Sequence, residues 1–211
     1  EKTAVDFVNR WLTASKKSDF SEVKGLAFLD EKEQLVVTPY PAPISAEEVY
    51  DIDWSILEES GEISFYLSDT EGAKTTFLHD PRATENHRKN KSLALLMSSK
   101  GCVARCTFCH RWDKGIRYIP VPVVMKRIDY MIENHNVGFI NFGDENFGTD
   151  KRWLGLFLEE IKKRELMWRV AGMRVNCITP DWVIKMKEAG CTGILFGMES
   201  GSQKMLDIME K

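Results

Sequence analysis

Three cysteines lie within the nine-residue segment Gly101–Cys109, which reads GCVARCTFC. Three thiolates on one short loop can each bind one iron of a cubane iron–sulfur cluster, and the fourth iron is then left without a protein ligand. A metal position that the protein leaves open can accept a substrate or cofactor, as it does in catalytic metal sites. The spacing therefore predicts that Cys102, Cys106 and Cys109 hold a redox-active 4Fe–4S cluster.

A structural zinc site is the alternative interpretation of the same loop, with three cysteines and one histidine as ligands. His110 follows Cys109 directly and is poorly placed to complete the same tetrahedron. The other histidines would have to fold in from a distance; they are His79, His87 and His135. Structural zinc usually shows paired Cys-x2-Cys knuckles, so the cluster is the favoured interpretation.

Composition limits the wider possibilities. A chain of 211 residues is long enough for one substantial core with a smaller element attached. The net charge of −3 gives no general electrostatic reason to expect nucleic acid as a partner. Apolar runs such as Leu93–Met97 and Ile194–Met198 are far too short to span a bilayer. We therefore expect neither a nucleic-acid partner nor a membrane span.

The cysteine count and the first residues bear on the compartment. Five cysteines are an odd number, and their crowding fits a reducing compartment and a metal site better than a disulfide framework. The first residues lack a basic start followed by an apolar run, so no secretory signal is visible. We expect a cytoplasmic location. The chain starts at Glu1 without an initiator methionine, which suggests that it begins inside a longer protein.

From Lys91 onward, buried strands alternate with helices, which is typical of βα units with a parallel sheet. The predicted strands are Leu93–Met97, Val137–Phe142, Trp168–Met173 and Thr192–Met198. The predicted helices begin near Pro122, at Thr149 or Asp150, at Thr179-Pro180 and at Ser202. The cysteine loop follows the first strand, and the carboxyl ends of such strands are where barrels of this kind place their chemistry.

The N-terminal third is patterned differently. Apolar residues spaced by three and four predict a helix over Ala4–Ala14. Two β-like runs, Gly25–Asp30 and Gln34–Thr38, predict a hairpin. Three prolines in Pro39–Pro43 indicate a semi-rigid linker. Beyond it, the sequence predicts a short helix near Trp54–Glu59 and a strand near Ile63–Leu67.

Polar groups follow each of the three later strands, and we expect them on the same face as the cysteine loop. They are Gly143, Asp144 and Glu145 after the second strand, Arg174 and Asn176 after the third, and Glu199 and Ser200 after the fourth. A simpler interpretation makes Asp144 and Glu145 part of a solvated acidic turn. In another, Arg174 pairs with one of those carboxylates as plain structure. Cys177 and Cys191 are interpreted as small buried hydrophobic residues.

The spacing Cys-x3-Cys-x2-Cys, with aromatic Phe108 before the last cysteine, resembles the radical S-adenosylmethionine (SAM) superfamily. This resemblance implies a 4Fe–4S cluster whose open iron is chelated by the amino and carboxylate groups of SAM. It also implies an external one-electron reductant and a substrate that the sequence does not identify. One electron then cleaves SAM to methionine and a 5′-deoxyadenosyl radical. The implied fold is α/β, a partial (βα) barrel of which about four of six strands are present.

The resemblance also implies roles for the polar groups. Gly143–Glu145 resembles the Gly-Gly-Glu stretch that holds the methionine ammonium, although Asp144 replaces its second glycine. Arg174 and Asn176 match residues that approach the carboxylate and ribose of SAM. Glu199 and Ser200 resemble a Glu-Ser-Gly-Ser turn whose carboxylate accepts from ribose hydroxyls or the ammonium. Phe108 is expected beside the cofactor.

Asp144 in place of glycine is associated with the cobalamin-binding branch of the superfamily. That branch includes methyltransferases on unactivated carbon or phosphorus and the anaerobic porphyrin ring cyclase. By resemblance, residues 1–90 are the tail of a cobalamin-binding-type domain and its linker, and residues 91–211 are a truncated radical SAM core. The cobalt-ligating Asp-x-His-x-x-Gly stretch is absent, so cobalamin is expected only in the full-length protein.

Three structural expectations follow. The three cysteine sulfurs should converge on a common point even without a cluster. Thr192–Met198 should be buried on both faces and yet lie at an open edge of the sheet, because four strands do not close the barrel. The chain alone should self-associate and support little turnover. A second function class stays open, namely an iron–sulfur electron-transfer or binding module that never cleaves the cofactor.

Overall fold

A computed structural model of the chain describes residues 2–42, 45, 55–77, 79–110 and 115–211. The chain forms two compact units, Glu1–Ser45 and Ala46–Lys211. This division falls earlier than the boundary at residue 90 that the resemblance implies. The identity of residues 1–90 as the tail of a cobalamin-binding-type domain stays a prediction.

The first unit contains the helix and the hairpin that the sequence predicted. Helix α1 spans Lys2–Trp11, and a 3₁₀ helix spans Lys17–Glu22. Strands β1 (Ala27–Leu29) and β2 (Leu35–Val37) pair in antiparallel register. The predicted linker has no regular structure at residues 39–42, and its last residue, Pro43, lies outside the described residues.

The segment before the main sheet corrects one prediction. It contains α2 (Ser55–Glu59), α3 (Ile63–Tyr66), β3 (Leu67–Ser68) and α4 (Thr70–Phe77). The predicted short helix is confirmed from Ser55 onward, and Trp54 lies outside the described residues. The predicted strand Ile63–Leu67 is wrong, because its first four residues are helical and only β3 pairs with the sheet. Residues that favour strands form one only where a neighbouring strand is available to pair with them. Here only Leu67–Ser68 pairs with a strand, namely β4.

The α/β fold is confirmed. The further strands are β4 (Ser92–Leu96), β5 (Ser99–Cys102), β6 (Gly115–Tyr118), β7 (Val137–Phe142), β8 (Met167–Met173) and β9 (Cys191–Phe196). The further helices are α5 (Val121–His135), α6 (Lys151–Ile161), α7 (Pro180–Glu188) and α8 (Gln203–Ile208). The main sheet has the order β3-β4-β7-β8-β9, in which β4, β7, β8 and β9 are parallel and β3 is antiparallel. In the part of the chain that is described, this sheet stays open.

An aromatic cluster fills the space between the parallel strands and α6. Trp168 on β8 is fully buried, and its ring lies 5.4 to 5.9 Å from the rings of Phe142, Phe147 and Phe157. Aromatic pairs at these separations add to the free energy gained by burying their area. None of the helices within the described ranges is both long and apolar enough to cross a membrane.

Strand β9 lies at the edge of the sheet, as predicted. No strand in the described part of the chain pairs with its outer side. The expectation that this strand is buried on both faces is wrong, since Leu195 is 58% exposed and Ile194 is only partly buried. A strand with one neighbour and one open side loses less of its surface than a central strand does, which explains the difference.

Helix capping follows the predictions only in part. Asp150 is the N-cap of α6, where its carboxylate accepts from the backbone N–H groups of Arg152 and Trp153. Thr179 and Ser202 occupy the N-cap positions of α7 and α8, but their side chains make no capping hydrogen bond. Just before α8, the Ser200 Oγ accepts from the Ser202 N–H at 3.1 Å.

Gly172 on β8 generates a stability prediction. A Cβ added there would lie 2.4 Å from the carbonyl oxygen of Asp144, a backbone atom that cannot move aside cheaply. We expect Gly172→Ala to lower the free energy of unfolding by about 1–3 kcal/mol through overpacking. Gly155→Ala is the matched control, because its Cβ would meet only Trp182 at 3.7 Å.

Gly155 lies inside α6, where alanine is favoured over glycine by about 0.5–1 kcal/mol. Urea unfolding of both variants measures the two effects. We expect Gly172→Ala to lower the free energy of unfolding and Gly155→Ala to raise it. Equal stabilities of the two variants would contradict the packing described here.

Candidate active site

The cysteine loop is carried by a β-hairpin that sequence reasoning missed. Strands β5 and β6 pair in antiparallel register, with Cys102 opposite Gly115. Cys102 is thus the last residue of a strand, and the connection that follows it contains Cys106 and Cys109. The Cys109 N–H donates to the Cys106 carbonyl at 3.1 Å, which closes a turn between these two cysteines.

A buried carboxylate attaches the start of this hairpin to the main sheet. Asp144, just after β7, is 2% exposed. Its carboxylate accepts from the Ser98 N–H at 3.1 Å, from the Ser98 hydroxyl at 2.9 Å and from the Ser99 hydroxyl. Burial raises the pKa of the Asp144 carboxyl above its ordinary value, and the hydrogen bonds from the two serines partly offset that rise.

The other strand of the hairpin is attached to the start of α6. The Tyr118 hydroxyl accepts from the Thr149 N–H at 2.9 Å, and the Tyr118 ring lies 4.9 Å from that of Trp153. The Trp153 indole N–H donates to the Ile119 carbonyl at 2.7 Å. Both strands of the hairpin are therefore attached to the main sheet or to α6, and the cysteine loop lies between them.

The three cysteines differ in exposure. Cys106 is buried, Cys102 is partly buried and Cys109 is exposed. Among the described residues, no three Cys, His, Asp or Glu side chains are already grouped as a metal site. The expectation that the three sulfurs converge in the absence of a cluster is therefore wrong. Residues 103–110 have no regular strand or helix that would hold three thiols together.

Arg174 connects the cysteine loop to the end of β8. Its Nη1 donates to the Cys106 Sγ at 3.1 Å, and its Nε donates to the Asn176 Oδ1 at 3.3 Å. The alternative in which Arg174 pairs with Asp144 or Glu145 is wrong, because Arg174 donates to Cys106 and Asn176 and forms no ion pair with either carboxylate, all of these residues being described. Arg174 and Asn176 line a cavity of about 360 Å³ together with Ser200 and with the backbone of Gly197.

Glu199 follows β9. It therefore lies at the carboxyl ends of the parallel strands, as the cysteine loop does. Its backbone is left-handed, with φ of +54°, and its Oε1 lies 3.2 Å from the Lys211 Nζ. Gly197 leaves room for this pair, because an added Cβ would lie 2.7 Å from the Glu199 Oε1. The end of α8 reaches the cysteine loop, where the Thr107 N–H donates to the Met209 carbonyl at 2.9 Å.

The remaining predicted site residues also follow the carboxyl ends of the parallel strands. The Gly143 N–H donates to the Leu96 carbonyl at 2.9 Å, so this glycine also joins β4 to the end of β7. Glu145 is exposed, and the Phe108 ring is 54% exposed beside Cys109. The structure thus brings Arg174, Asn176 and Ser200 into one cavity, whereas Asp144 faces inward and supports the hairpin.

Two further cysteines and three of the histidines lie outside the cysteine loop. Cys191 is buried as predicted, and burial raises the pKa of its thiol to about 12. Cys177 is only partly buried, so its interpretation as a core residue is wrong, and its Sγ lies 3.6 Å from the Asn176 Oδ1. The three distant histidines contact other groups: His79 the Thr192 carbonyl, His87 the Glu85 carboxylate and His135 the Glu58 carboxylate. This arrangement does not favour the zinc alternative.

Lys151 is a supporting residue that sequence reasoning missed. Its Nζ donates to the Gly148 carbonyl at 2.6 Å and to the Cys177 carbonyl. It therefore joins the loop after β7 to the 3₁₀ turn Val175–Cys177 that carries Asn176. Partial burial lowers the pKa of the Lys151 amine. Its position as the first residue of α6 was visible in the sequence, but its partners are set by tertiary structure.

Comparison with known protein families identifies the family of this chain. Residues 96–211, more than half of the chain, match the Radical SAM superfamily. The chain belongs to the Radical SAM superfamily. Membership implies a 4Fe–4S cluster and SAM, and the matched region contains the cysteine loop, the cavity and all three polar segments.

Three curated relatives extend the comparison. An anaerobic magnesium-protoporphyrin IX monomethyl ester cyclase from Rubrivivax gelatinosus is 24% identical over 92% of this chain and 32% of its own length. An uncharacterized methyltransferase from Pyrococcus horikoshii is 29% identical over 56% of this chain and 26% of its own. A cytidylyl-2-hydroxyethylphosphonate methyltransferase from Streptomyces wedmorensis is 26% identical over 53% of this chain and 22% of its own. The chain spans at most about a third of these relatives.

The donor set fits the cluster that membership in the Radical SAM superfamily implies. Cysteine thiolates are the usual ligands of 4Fe–4S clusters, and three of them lie on one loop between fixed strands. The Arg174 guanidinium already contacts one of these sulfurs, so the loop has a cationic neighbour that suits a thiolate ligand.

Asp144 carries the prediction from this site. Asp144→Ala leaves the Ser98 N–H without its acceptor, so we expect the free energy of unfolding to fall by about 1–3 kcal/mol. Asp144→Asn keeps an acceptor oxygen and is the matched control. The pKa of Asp144 is higher in the folded than in the unfolded protein. Asp144 therefore stabilises the fold most at a pH below the ordinary aspartate pKa, where it is protonated.

This contribution is lost as pH rises through the raised pKa. The stability of the wild type relative to Asp144→Asn should therefore fall with rising pH, starting near the ordinary value of 3.8. Urea unfolding of both proteins across that range measures the difference. A relative stability that rises with pH would show that the carboxylate is stabilised in its charged form.

Proposed function

We propose that the protein cleaves SAM reductively at a 4Fe–4S cluster held by Cys102, Cys106 and Cys109. The observation that carries this proposal is the Arg174 contact with Cys106, because it puts the three-cysteine loop beside a cavity of about 360 Å³. The cavity is lined by groups that suit a zwitterionic nucleoside. Arg174 can bind a carboxylate, and Asn176 and Ser200 can hydrogen-bond hydroxyls.

We assign the residues in and near the cavity to different chemical groups of SAM. Arg174 contacts Cys106 and also lines the cavity, so we assign it the carboxylate of SAM. Glu199 carries a carboxylate that can exchange Lys211 for the SAM ammonium or accept from ribose hydroxyls. Gly143 and Glu145 follow β7 at the carboxyl ends of the strands, and we assign the exposed Phe108 ring the role of covering the cofactor. Asp144 is not assigned a contact with SAM, because its carboxylate oxygens already accept hydrogen bonds from the two serines.

Held by Cys102, Cys106 and Cys109, a 4Fe–4S cluster would supply the one electron needed to split SAM into methionine and a 5′-deoxyadenosyl radical. The chain's share is to orient SAM and to limit the access of water to the radical. An external one-electron reductant must deliver the electron. An odd cysteine count and an oxidant-sensitive cluster favour a reducing, cytoplasmic compartment.

For the full-length protein, we propose a reaction of the cobalamin-binding branch, either methyl transfer or ring formation. The names of the relatives support this choice, since one is a cyclase and two are methyltransferases. Cobalamin would bind outside this chain, which lacks the cobalt-ligating stretch. The substrate stays unassigned, because fold membership does not identify it.

The first test concerns the cluster ligands. Replacing any one of Cys102, Cys106 and Cys109 by alanine should abolish the 4Fe–4S signal, because three thiolates are the minimum that holds such a cluster with one open iron. Iron analysis and electron paramagnetic resonance after anaerobic reconstitution and dithionite reduction measure the loss.

Cys191→Ala is the control, since Cys191 begins β9 at the opposite end of that strand from the site. It should keep a normal cluster. A normal cluster in one of the three loop variants, or one equivalent of zinc in anaerobically purified protein, would refute the ligand assignment.

The second test concerns SAM. Glu199→Ala removes one charged contact, which typically costs about 1.5–3 kcal/mol, so the dissociation constant of SAM should rise about ten- to hundredfold. The iron content should not change. Glu160→Ala on α6 is the control, because Glu160 pairs with Lys163 on the surface. Calorimetric titration with SAM measures both variants, and unchanged affinity in Glu199→Ala would remove Glu199 from the cofactor site.

Chromatography for 5′-deoxyadenosine separates this proposal from the second function class. A reduced cluster that forms normally but releases no 5′-deoxyadenosine from SAM, in the full-length protein, would favour an electron-transfer or binding module.

A further inference from the structure

Arg174 occupies a position that links a cluster cysteine to the cavity. Its Nη1 lies 3.1 Å from the Cys106 Sγ, and its Nε lies 3.3 Å from the Asn176 Oδ1. The same side chain lines the cavity of about 360 Å³. A residue that only bound a ligand carboxylate would need no contact with a cysteine sulfur, so this contact calls for a separate explanation.

The sulfur that Arg174 contacts is the most buried of the three. Cys106 is 7% exposed, whereas Cys102 is partly buried and Cys109 is exposed. A charge interacts more strongly with its neighbours where water is excluded, since the effective dielectric constant is lower there. The guanidinium therefore acts on the one ligand sulfur at which its field is screened least.

The effect of such a contact on a cluster has a definite sign. Hydrogen bonds to the ligand sulfurs and nearby net charge are among the main determinants of cluster potential. Reduction adds one electron from the external donor, with no bond formed or broken, and so adds negative charge to the cluster and its thiolates. A cation that donates an N–H to a ligand sulfur stabilises the reduced state more than the oxidised state.

We propose that Arg174 is a positioning residue that raises the reduction potential of the cluster by donating an N–H···S hydrogen bond to Cys106. This inference rests on the proposed function, because it requires that Cys106 be a cluster ligand. It goes beyond that function by giving Arg174 a role that does not depend on bound SAM.

The test measures the midpoint potential of the reconstituted protein without SAM, by redox titration followed with electron paramagnetic resonance. Arg174→Gln keeps an N–H donor but removes the charge, and Arg174→Met removes both. We expect both potentials to become more negative, that of Arg174→Met by more. A tenfold lower equilibrium constant for reduction in Arg174→Met corresponds to about 59 mV for one electron.

Arg105→Gln is the matched control. Arg105 precedes Cys106 in the same loop, but its side chain is 80% exposed and lies 3.8 Å from Glu210. Its removal deletes the same charge from the loop in a place where solvent and salt screen it. We expect its potential to stay much closer to that of the wild type. Potentials of both Arg174 variants equal to that of Arg105→Gln would overturn the proposal.

A second measurement on the wild type keeps the proposal testable if the Arg174 variants fail to hold a cluster. Protein labelled with ¹⁵N-arginine should show a nitrogen coupling to the reduced cluster in electron–nuclear double resonance, and Arg105→Gln should retain it. Absence of that coupling would overturn the proposal. A wild type that forms no cluster would instead refute the proposed function, so the two failures are distinguishable.

Discussion

A buried interaction between the Asp144 carboxylate and Ser98 and Ser99 holds the first strand of the hairpin that carries the cysteine loop. Asp144 lies two residues after the second parallel strand, and Ser99 begins the hairpin that contains Cys102, with Ser98 directly before it. A carboxylate that is 2% exposed would be costly without partners, and these partners fix where the hairpin leaves the sheet. The position of the loop relative to the strands therefore depends on this contact.

The rest of the site depends on the parallel arrangement of the strands. Because β4, β7, β8 and β9 all run in the same direction, the residues that follow them gather at one edge. Arg174 and Asn176 come from the end of β8, and Ser200 comes from the end of β9. Lys151 then fixes the turn that carries Asn176 by binding two carbonyl oxygens. Two supports of the site, Asp144 and Lys151, are thus titratable side chains that have been partly or fully removed from water.

The sequence predicted those features that depend on short-range patterns. The parallel strands were visible as buried apolar runs, and the cysteine spacing lies within one loop. Features set by distant partners were missed or misinterpreted. Asp144 was expected to meet a ligand, yet its partners, Ser98 and Ser99, lie more than forty residues earlier in the chain. The hairpin of β5 and β6 has only four residues in each strand and no clear alternation of apolar residues, so nothing local marked it. Ile63–Tyr66 had residues that favour strands but had no strand edge beside them.

The central claim is that three cysteines bind a cluster and leave one iron open for SAM. Mössbauer spectroscopy of ⁵⁷Fe-reconstituted protein, recorded with and without SAM, tests it most directly. We predict that SAM changes the signal of one iron in four, because only the iron without a cysteine ligand can bind the amino and carboxylate groups. A spectrum of four equivalent irons that SAM leaves unchanged would contradict the claim.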